Sequence, residues 1–315
     1  MAKVVVTFSP SEAQRKMIES TLNDVVFLGE DRSVLASADV VFSWNPVLEL
    51  KGEELAGLNA RFMQTLSAGV DHVPIATMPD NVAIASNVGA YAEPMAEHTM
   101  AMFLALAKRL YKNHQRMKEV FDQWSMTRTM KDSVCGILGF GENGKAVARL
   151  VSAFGARIYA INSTGRTEED VDFIGTLKDL DLFLKNVDFL AITIALNNKT
   201  RGILGKRELE LMKKNAILVN TARGEIIDEE ALYEHLESNP EFMAGIDAWW
   251  VEPFRHGKFE MRHPFLDLPN VIGSPHNSAM VEGAVDHATE LACENIEAFI
   301  EGKKVRGVVR RDDYV

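Results

Sequence analysis

Short apolar runs alternate with longer amphipathic stretches along most of the chain, and this rhythm restricts the available folds more than any other feature. Apolar runs separated by helical patterns are typical of βαβ units, which build parallel sheets. The sequence therefore predicts an α/β protein. The runs in the first ninety residues are Val4–Phe8, Val25–Leu28, Val40–Trp44, Phe62–Thr65 and Val82–Ala85.

A second series of apolar runs follows a long helical pattern that extends from Glu93 to about Lys118. Six strands in this order are what a doubly wound dinucleotide-binding sheet requires. These runs are Ser133–Leu138, Arg157–Ile161, Phe189–Ile194, Ala216–Asn220, Met243–Asp247 and Asn270–Gly273.

A last helical pattern, from about Ala279 to Ile300, is long enough to lead back to the first sheet. The length of 315 residues also suggests two domains. We therefore predict two doubly wound parallel-sheet domains. Residues 1–97 and 280–315 form a discontinuous domain, and residues 98–279 form a second domain inserted into it.

Composition excludes several classes of protein. Apolar residues make up 47% and charged residues 25%, as in an ordinary globular enzyme. The net charge of −11 disfavours a nucleic-acid partner, and we interpret the basic residues from Lys303 to Arg311 as a solvated terminus. No apolar run is long enough to span a bilayer, and the first residues lack a secretory pattern. We expect a cytoplasmic protein without a membrane partner.

The two cysteines, Cys135 and Cys293, both lie in apolar stretches. We interpret them as reduced core thiols and not as a disulfide or a nucleophile. The histidines show no spacing with cysteines or acids that is typical of a metal site, so we expect none.

A glycine-rich segment, Gly139-Phe140-Gly141-Glu142-Asn143-Gly144, lies between a predicted strand and a predicted helix. In a GxGxxG segment in this position, the first glycine permits a tight turn and the second admits a pyrophosphate. The third glycine lets the helix pack closely on the strand. We predict that this segment, with Glu142 and Asn143, binds a dinucleotide cofactor.

The next strand ends without the acidic residue that would accept hydrogen bonds from both ribose hydroxyls of NAD. It is followed by Asn162-Ser163-Thr164-Gly165-Arg166. Hydroxyl and amide donors with a guanidinium suit a 2′-phosphate. The segment favours NADP over NAD, with an ordinary solvated turn as the alternative reading.

Three charged or titratable residues, Arg223, Glu252 and His276, follow the carboxyl ends of three predicted strands. Ligands bind at this edge of a doubly wound sheet. Taken singly, each residue is typical of an ordinary turn. Taken together and in order, they indicate one catalytic site.

These motifs resemble the D-isomer-specific 2-hydroxyacid dehydrogenase family over essentially the whole chain. The resemblance implies a Rossmann cofactor domain inserted into a flavodoxin-like substrate domain, and a homodimer. Its carriers are the glycine segment, Asn220–Gly224, Gly245–Asp247, Glu252-Pro253 and Pro275-His276, with Ser67–Asp71, Asn87–Gly89 and Ala96-Glu97-His98 in the first part of the chain.

By this resemblance, Arg223 binds the carboxylate or carbonyl of a small 2-keto acid, a task suited to a planar bidentate donor. His276 exchanges the proton of the carbonyl oxygen, because imidazole titrates near neutral pH. Glu252 supports His276 and favours its protonated form.

Further roles are implied by the same resemblance. Asp247 faces the nicotinamide, the main-chain amides of Ala68 and Gly69 hold the substrate carboxylate, and Thr221 and Ala222 line the cofactor side. We expect a structural role for His98, packing against the neighbouring domain.

Alternatives remain within and outside this activity. Trp249 and Trp250 depart from the family pattern, and we hypothesise that they influence substrate choice together with Trp44, Tyr91 and Trp124.

Oxidation of formate or phosphite is known among relatives, but formate-oxidising relatives carry Gln at the position of Glu252. A cofactor-sensing, corepressor-like binding protein is the alternative of a different class.

Overall fold

The structure, a computed structural model, describes residues 2–315 and divides into two compact units. The first unit comprises the described residues up to Tyr91 together with Met280–Val315, and the second comprises Ala92–Ala279. No helix in the described range is both long and apolar enough to cross a bilayer.

The first unit is built on a five-stranded parallel sheet with the order β2-β1-β3-β4-β5. This order is that of flavodoxin-like proteins. The strands are β1 (Val4–Val6), β2 (Val25–Phe27), β3 (Val40–Ser43), β4 (Phe62–Thr65) and β5 (Ala83–Ala85), and the helices are α1 (Glu12–Thr21), α2 (Pro46–Glu49), α3 (Gly52–Ala56) and α11 (Ala284–Ile300).

Helices α1 and α11 pack against each other in this unit. Helix α1 begins at a capping box in which the Ser11 hydroxyl accepts from the Gln14 amide. The Gln14 side chain donates to the Thr289 hydroxyl on α11 at 2.9 Å. A buried polar contact of this kind fixes how the two helices are aligned.

The chain terminus covers the edge of this sheet. Val308 pairs with Ala85 in an antiparallel bridge next to β5. The guanidinium of Arg311 donates to the carbonyls of Ile75, Met78, Pro79 and Val82. The bridge protects an otherwise open strand edge, and Arg311 is thereby engaged within the fold.

The second unit contains a seven-stranded parallel sheet with the order β12-β11-β10-β9-β6-β7-β8. Its strands are β6 (Val134–Leu138), β7 (Arg157–Ile161), β8 (Phe173–Gly175), β9 (Phe189–Ile192), β10 (Ile217–Asn220), β11 (Met243–Ile246) and β12 (Val271–Gly273). Its helices are α4 (Ala92–Ala107), α5 (Leu110–Arg116), α6 (Glu142–Ala153), α7 (Leu180–Asn186), α8 (Lys206–Leu211), α9 (Glu229–Ser238) and α10 (Pro253–His256).

This sheet is buried on both faces. Leu138, Leu190 and Leu218 belong to one apolar cluster. Ile137 and Phe189 belong to another. Consecutive strand residues point to opposite faces, so continuous apolar strands such as β6 are covered on both sides, as parallel sheets require.

Short 3₁₀ helices of one or two turns complete the described structure. They span Arg32–Ser37, Ile75–Thr77, Leu177–Asp179, Gly224–Ile226, Phe265–Asp267 and Arg311–Asp313.

Several sequence predictions differ in detail from the structure. Strand β8 was not predicted, because only Phe173 and Ile174 mark it as apolar. The predicted single helix from Glu93 to Lys118 is wrong, since it is broken where Arg109 adopts a left-handed conformation with φ of 49°. Helix α11 starts at Ala284, after a left-handed Gly283, and not at Ala279. The predicted boundary at residues 97 and 98 falls inside α4.

Candidate active site

The order of the second sheet reverses between β6 and β9, which are neighbours although β7 and β8 intervene in the chain. Open α/β sheets bind ligands at such a switch point, beyond the carboxyl ends of the strands. The glycine segment follows β6 at this point. Thr193, just after β9, donates from its hydroxyl to the Gly139 carbonyl at 2.7 Å and ties the two strand ends together.

The glycine positions have the properties that a dinucleotide loop needs. A Cβ on Gly139, whose φ is +107°, would lie 2.3 Å from the main-chain nitrogen of Ile194. A Cβ on Gly144 would lie 2.4 Å from the Gly139 carbonyl oxygen. Around Gly141, in contrast, a Cβ would meet nothing within 4 Å.

Gly141 is also the residue that precedes the first turn of α6. The open space there lies at a helix amino terminus, where main-chain N–H groups and the helix dipole favour an anion. Of the neighbouring residues, Glu142 forms an ion pair with Lys145 at 3.2 Å. Asn143 donates to the Met95 sulfur. The open space beside Gly141 and the main-chain N–H groups at the start of α6 therefore fit a dinucleotide pyrophosphate.

The turn after β7 is closed by the side chain of Asn162. Its oxygen accepts the amides of Thr164 and Gly165 at 3.0 and 2.7 Å, and its amide donates to the Arg166 carbonyl at 2.8 Å. This network fixes the backbone and leaves the side chains of Ser163, Thr164 and Arg166 exposed. Asn162 thus shapes the turn. The Thr164 hydroxyl bonds within the turn, to Asn162 Oδ1 and the Arg166 carbonyl, whereas the side chains of Ser163 and Arg166 are available to a ligand.

Three adjacent parallel strands, β10, β11 and β12, end at the same edge of the sheet. Arg223 follows β10, Asp247 and Glu252 follow β11, and His276 follows β12. The loops after β10 and β11 also touch, because a Cβ on Gly224 would lie 2.4 Å from the main-chain carbon of Trp249. The fold therefore brings the three predicted catalytic residues to one edge.

His276 and Glu252 form a direct pair, with Nδ1 of the imidazole 2.7 Å from Oε2 of the carboxylate. Glu252 is buried, at 5% exposure, and its other oxygen accepts the main-chain N–H of Trp249 at 2.5 Å. A carboxylate only accepts, so Nδ1 carries the shared hydrogen. Nε2 of His276 is then the nitrogen that can exchange a proton with a ligand.

Arg223 lies on a short loop whose backbone is hydrogen-bonded to the side chain of Asn220. The Asn220 amide donates to the Arg223 carbonyl at 2.8 Å, and its oxygen accepts the Ala222 amide at 3.0 Å. The Arg223 guanidinium donates to the Ala222 carbonyl through Nη1 at 2.7 Å. These bonds fix the position from which the guanidinium projects.

Asp247 is fully buried and organises the segment that carries His276. Its carboxylate accepts the Ser274 hydroxyl at 2.5 Å and the amides of Asn277 and Ser278 at 3.1 and 3.3 Å. These bonds flank His276, whose φ of 51° is left-handed. A non-glycine residue there costs about 1–2 kcal/mol, which surrounding contacts must offset.

The remaining predicted cofactor and substrate residues lie at strand ends. Thr221 and Ala222 follow β10 and are both buried. Ala68 and Gly69 belong to the first unit, in the loop after β4, where the Ser67 hydroxyl donates to the Gly69 carbonyl at 2.9 Å.

Two features of this edge escaped the sequence analysis. Arg255, on α10, pairs with Glu225 at 2.8 Å, and both side chains are largely buried. The pair links the segment after Arg223 to the segment after Glu252. The Trp249 indole donates to the Ser274 carbonyl at 2.8 Å and is only 4% exposed. The charged stretch around Arg255 is visible in sequence, but its partner is set by tertiary structure.

Both cysteines are free and buried. Burial raises the pKa of both thiols, that of Cys293 to about 12. This agrees with the prediction of unreactive core thiols. Within residues 2–315, no cluster of three or more His, Cys, Asp or Glu side chains could hold a metal ion.

Comparison with known proteins places this chain in a family. Residues 100–278 match the model of the D-isomer specific 2-hydroxyacid dehydrogenase, NAD binding domain. The chain belongs to this family. It is an NAD(P)-dependent oxidoreductase that acts on a CH–OH or keto group. The predicted family and fold class are confirmed.

Individual relatives share much of the chain. It is 32% identical over 230 residues to a hydroxypyruvate reductase of Thermotoga maritima, covering 71% of this chain and 72% of that protein. It is 29% identical over 264 residues to a glyoxylate reductase of Aeropyrum pernix, covering 80% and 77%. A solved structure from Pyrobaculum aerophilum, provisionally described as a formate dehydrogenase, has a TM-score of 0.85, 25% identity and coverage of 99% and 100%.

Proposed function

We propose that this enzyme reduces a small 2-keto acid, such as glyoxylate or hydroxypyruvate, to the D-2-hydroxy acid. The observation that carries the proposal is the His276–Glu252 pair, which lies at the same sheet edge as Arg223. An anion anchor and a proton donor supported by a carboxylate are the groups that carbonyl reduction requires of the protein. The names of the two reductases above support the substrate class.

Arg223 binds the carboxylate or the carbonyl oxygen of the substrate. Its planar guanidinium offers paired N–H groups, and charge-assisted bonds to a carboxylate orient the substrate. The main-chain amides of Ala68 and Gly69 supply further donors to the carboxylate. The carbonyl polarised in this way is a better hydride acceptor.

His276 donates a proton from Nε2 to the carbonyl oxygen as the alcohol forms, and takes it back in the reverse reaction. The Glu252 carboxylate accepts the hydrogen bond of Nδ1–H, and this contact orients the ring. The negative charge of Glu252 also stabilises the protonated imidazole. Because Glu252 is buried, this stabilisation is only weakly screened by solvent. A bound nicotinamide supplies the hydride.

The residues that hold the cofactor are those after β6, β7 and β10. Gly139, Gly141 and Gly144, with Glu142 and Asn143, form the loop at the amino terminus of α6. Thr221 and Ala222 border the nicotinamide side. Asp247 acts on this region indirectly. Its carboxylate is fully buried and accepts the amides of Asn277 and Ser278, which follow His276.

We propose NADP as the preferred cofactor. The support is the turn after β7, where Ser163, Thr164 and Arg166 are exposed and the strand ends without an acid. The Arg166 guanidinium and the Ser163 hydroxyl can bind a 2′-phosphate, and no carboxylate at the strand end repels it.

We also propose a homodimer formed through the second unit. Its support is a run of large apolar side chains that are exposed on and after α5: Leu110, Tyr111, Met117, Val120, Phe121, Trp124 and Met126. Exposed apolar patches of this kind mark interaction surfaces. Light scattering of the full chain with and without Phe121→Ser and Trp124→Ser tests this, and a wild-type monomer would contradict it.

A panel assay tests the proposed activity. NADPH or NADH is combined with glyoxylate, hydroxypyruvate, pyruvate or a branched 2-keto acid, and absorbance at 340 nm is followed. Formate and phosphite with the oxidised cofactors test the other hydride transfers. Reduction of a keto acid supports the proposal, whereas tight cofactor binding without turnover of any substrate favours the sensor alternative.

A further inference from the structure

His98 lies on α4, far in sequence from His276, yet it reaches the segment that carries it. Nε2 of His98 lies 2.9 Å from the Ser274 hydroxyl and 3.7 Å from Oδ1 of Asp247. Ser274 precedes His276 by two residues. The His98 side chain is 25% exposed, and Asp247 is fully buried.

The directions of these hydrogen bonds follow from the groups involved. The ionised Asp247 carboxylate can only accept, so the Ser274 hydroxyl donates its single hydrogen to it. The Ser274 oxygen must therefore accept from His98, whose Nε2 carries the hydrogen. The result is a chain from His98 through Ser274 to Asp247, in which each bond polarises the next.

The segment from Ser274 to Ser278, which contains His276, makes further hydrogen bonds. The Trp249 indole donates to the Ser274 carbonyl, and the amides of Asn277 and Ser278 donate to Asp247. His98 is the member of this set that joins the segment to a helix, since Trp249 and Asp247 both follow β11. The left-handed His276 lies between the two anchored ends.

The next residue of α4 makes a matching contact. The hydroxyl of Thr99 lies 3.3 Å from that of Thr221, two residues before Arg223. Adjacent residues of one helix thus contact the loop of the guanidinium and the loop of the imidazole. A regular helix of 16 residues is a rigid reference for the distance between them.

We propose that His98 is a positioning residue for His276, acting as the hydrogen-bond donor that fixes Ser274. This inference rests on the proposed function, because it assigns His98 to the alignment of the proposed proton donor. His98 itself does not touch the substrate. A small displacement of His276 from its aligned position lowers the rate strongly, whereas cofactor affinity depends on other residues.

The experiment compares His98→Leu, which removes the donor, with His98→Gln, whose amide nitrogen can replace Nε2. His287→Leu and His287→Gln are the matched controls, because His287 lies in the first unit and its side chain is 56% exposed. Full-length proteins are measured for kcat, for the KM of the keto acid and for NADPH affinity by fluorescence. Hydrogen exchange of the peptide containing Asn277 and Ser278 is followed by mass spectrometry.

His98→Leu is expected to lower kcat by about 10- to 100-fold with little change in NADPH affinity. The Asn277 and Ser278 amides should exchange faster, and His98→Gln should restore both properties. Unchanged kcat and exchange in His98→Leu, or a His98→Gln variant that behaves like His98→Leu, would overturn the proposal.

Two further arms keep the test decisive. If His98→Leu does not fold, Ser274→Ala removes the same bond from the other side and should give the same faster exchange; protected amides in that variant would overturn the proposal. If the wild-type protein reduces no keto acid, the proposed function fails. The exchange measurement needs no substrate and then decides the role of His98 alone.

Discussion

Nδ1 of His276 lies 2.7 Å from Oε2 of Glu252, and the second oxygen of that carboxylate accepts the Trp249 amide. Both Glu252 oxygens are therefore engaged, which fixes the carboxylate and, through it, the imidazole plane. Since Nδ1 carries the shared hydrogen, Nε2 is directed to proton exchange. The pair thus defines the tautomer that the proposed reaction needs.

Glu252→Gln tests the charge of this pair. The amide oxygen can accept from Nδ1 and keep the ring in place, while the amide NH₂ then faces the Trp249 N–H and that bond is lost together with the negative charge that stabilises a protonated imidazole. We expect kcat for keto-acid reduction to fall by about 10- to 100-fold, with unchanged NADPH affinity. Steady-state kinetics and a fluorescence titration measure the two quantities, and wild-type kcat would exclude the electrostatic role.

Arg223→Lys tests the guanidinium. Lysine keeps the positive charge but loses the planar pair of donors that a carboxylate matches. We expect kcat/KM for the keto acid to fall by about 100-fold or more, with cofactor affinity retained. Arg207→Lys, at a side chain 62% exposed, is the control. Near-normal kcat/KM in the Arg223 variant would remove this residue from the site.

Arg166→Ala tests the choice of cofactor. Removal of one charge-assisted contact to the 2′-phosphate should weaken NADPH binding by about 10-fold and leave NADH binding almost unchanged. Arg157→Ala, at the opposite end of β7, is the matched control. Dissociation constants from fluorescence titration decide the question, and equal effects on both cofactors would contradict the assignment.

Glu54→Gln tests a pH-dependent contribution to stability. The bidentate contact of Arg32 with Glu54, at 2.7 and 2.5 Å, lowers the pKa of this carboxyl from 4.5 to about 2. Because the folded pKa is depressed, the stabilisation is present above about pH 4.5 and is lost as the pH falls through 2.

The substitution should therefore lower the free energy of unfolding by about 1 kcal/mol at pH 7 and by less at pH 3.5. Urea unfolding at the two pH values measures the difference, with the exposed neighbour Glu53→Gln as the control. An effect of equal size at both pH values would show that the ion pair is not its source.

The sheet architecture could be predicted from sequence because buried parallel strands are continuous apolar runs with helical patterns between them. The residues after β10, β11 and β12 could be predicted as neighbours because parallel strands end at one edge. Strand β8 was missed since a three-residue edge strand has too few residues for a pattern. The helix break at Arg109 was missed since neither glycine nor proline marks it.

The contacts around the site could not be predicted, because they join residues far apart in the chain. His98 and Ser274 are separated by 176 positions, and nothing near either residue specifies the other. The sequence suggests that Trp249 influences substrate choice, but its ring packs on Phe265 and its indole N–H donates to the Ser274 carbonyl. An aromatic residue next to a catalytic motif gives no sequence signal that distinguishes packing from substrate contact.

His276→Ala, assayed together for turnover and cofactor binding, tests the central claim most directly. With no group to exchange the carbonyl proton, we predict that kcat for keto-acid reduction falls by about 10³-fold or more, while the NADPH dissociation constant stays within a factor of about 2. Retained turnover would show that His276 is not the proton donor. Loss of both turnover and NADPH binding would show that it maintains the fold and does not act in the reaction.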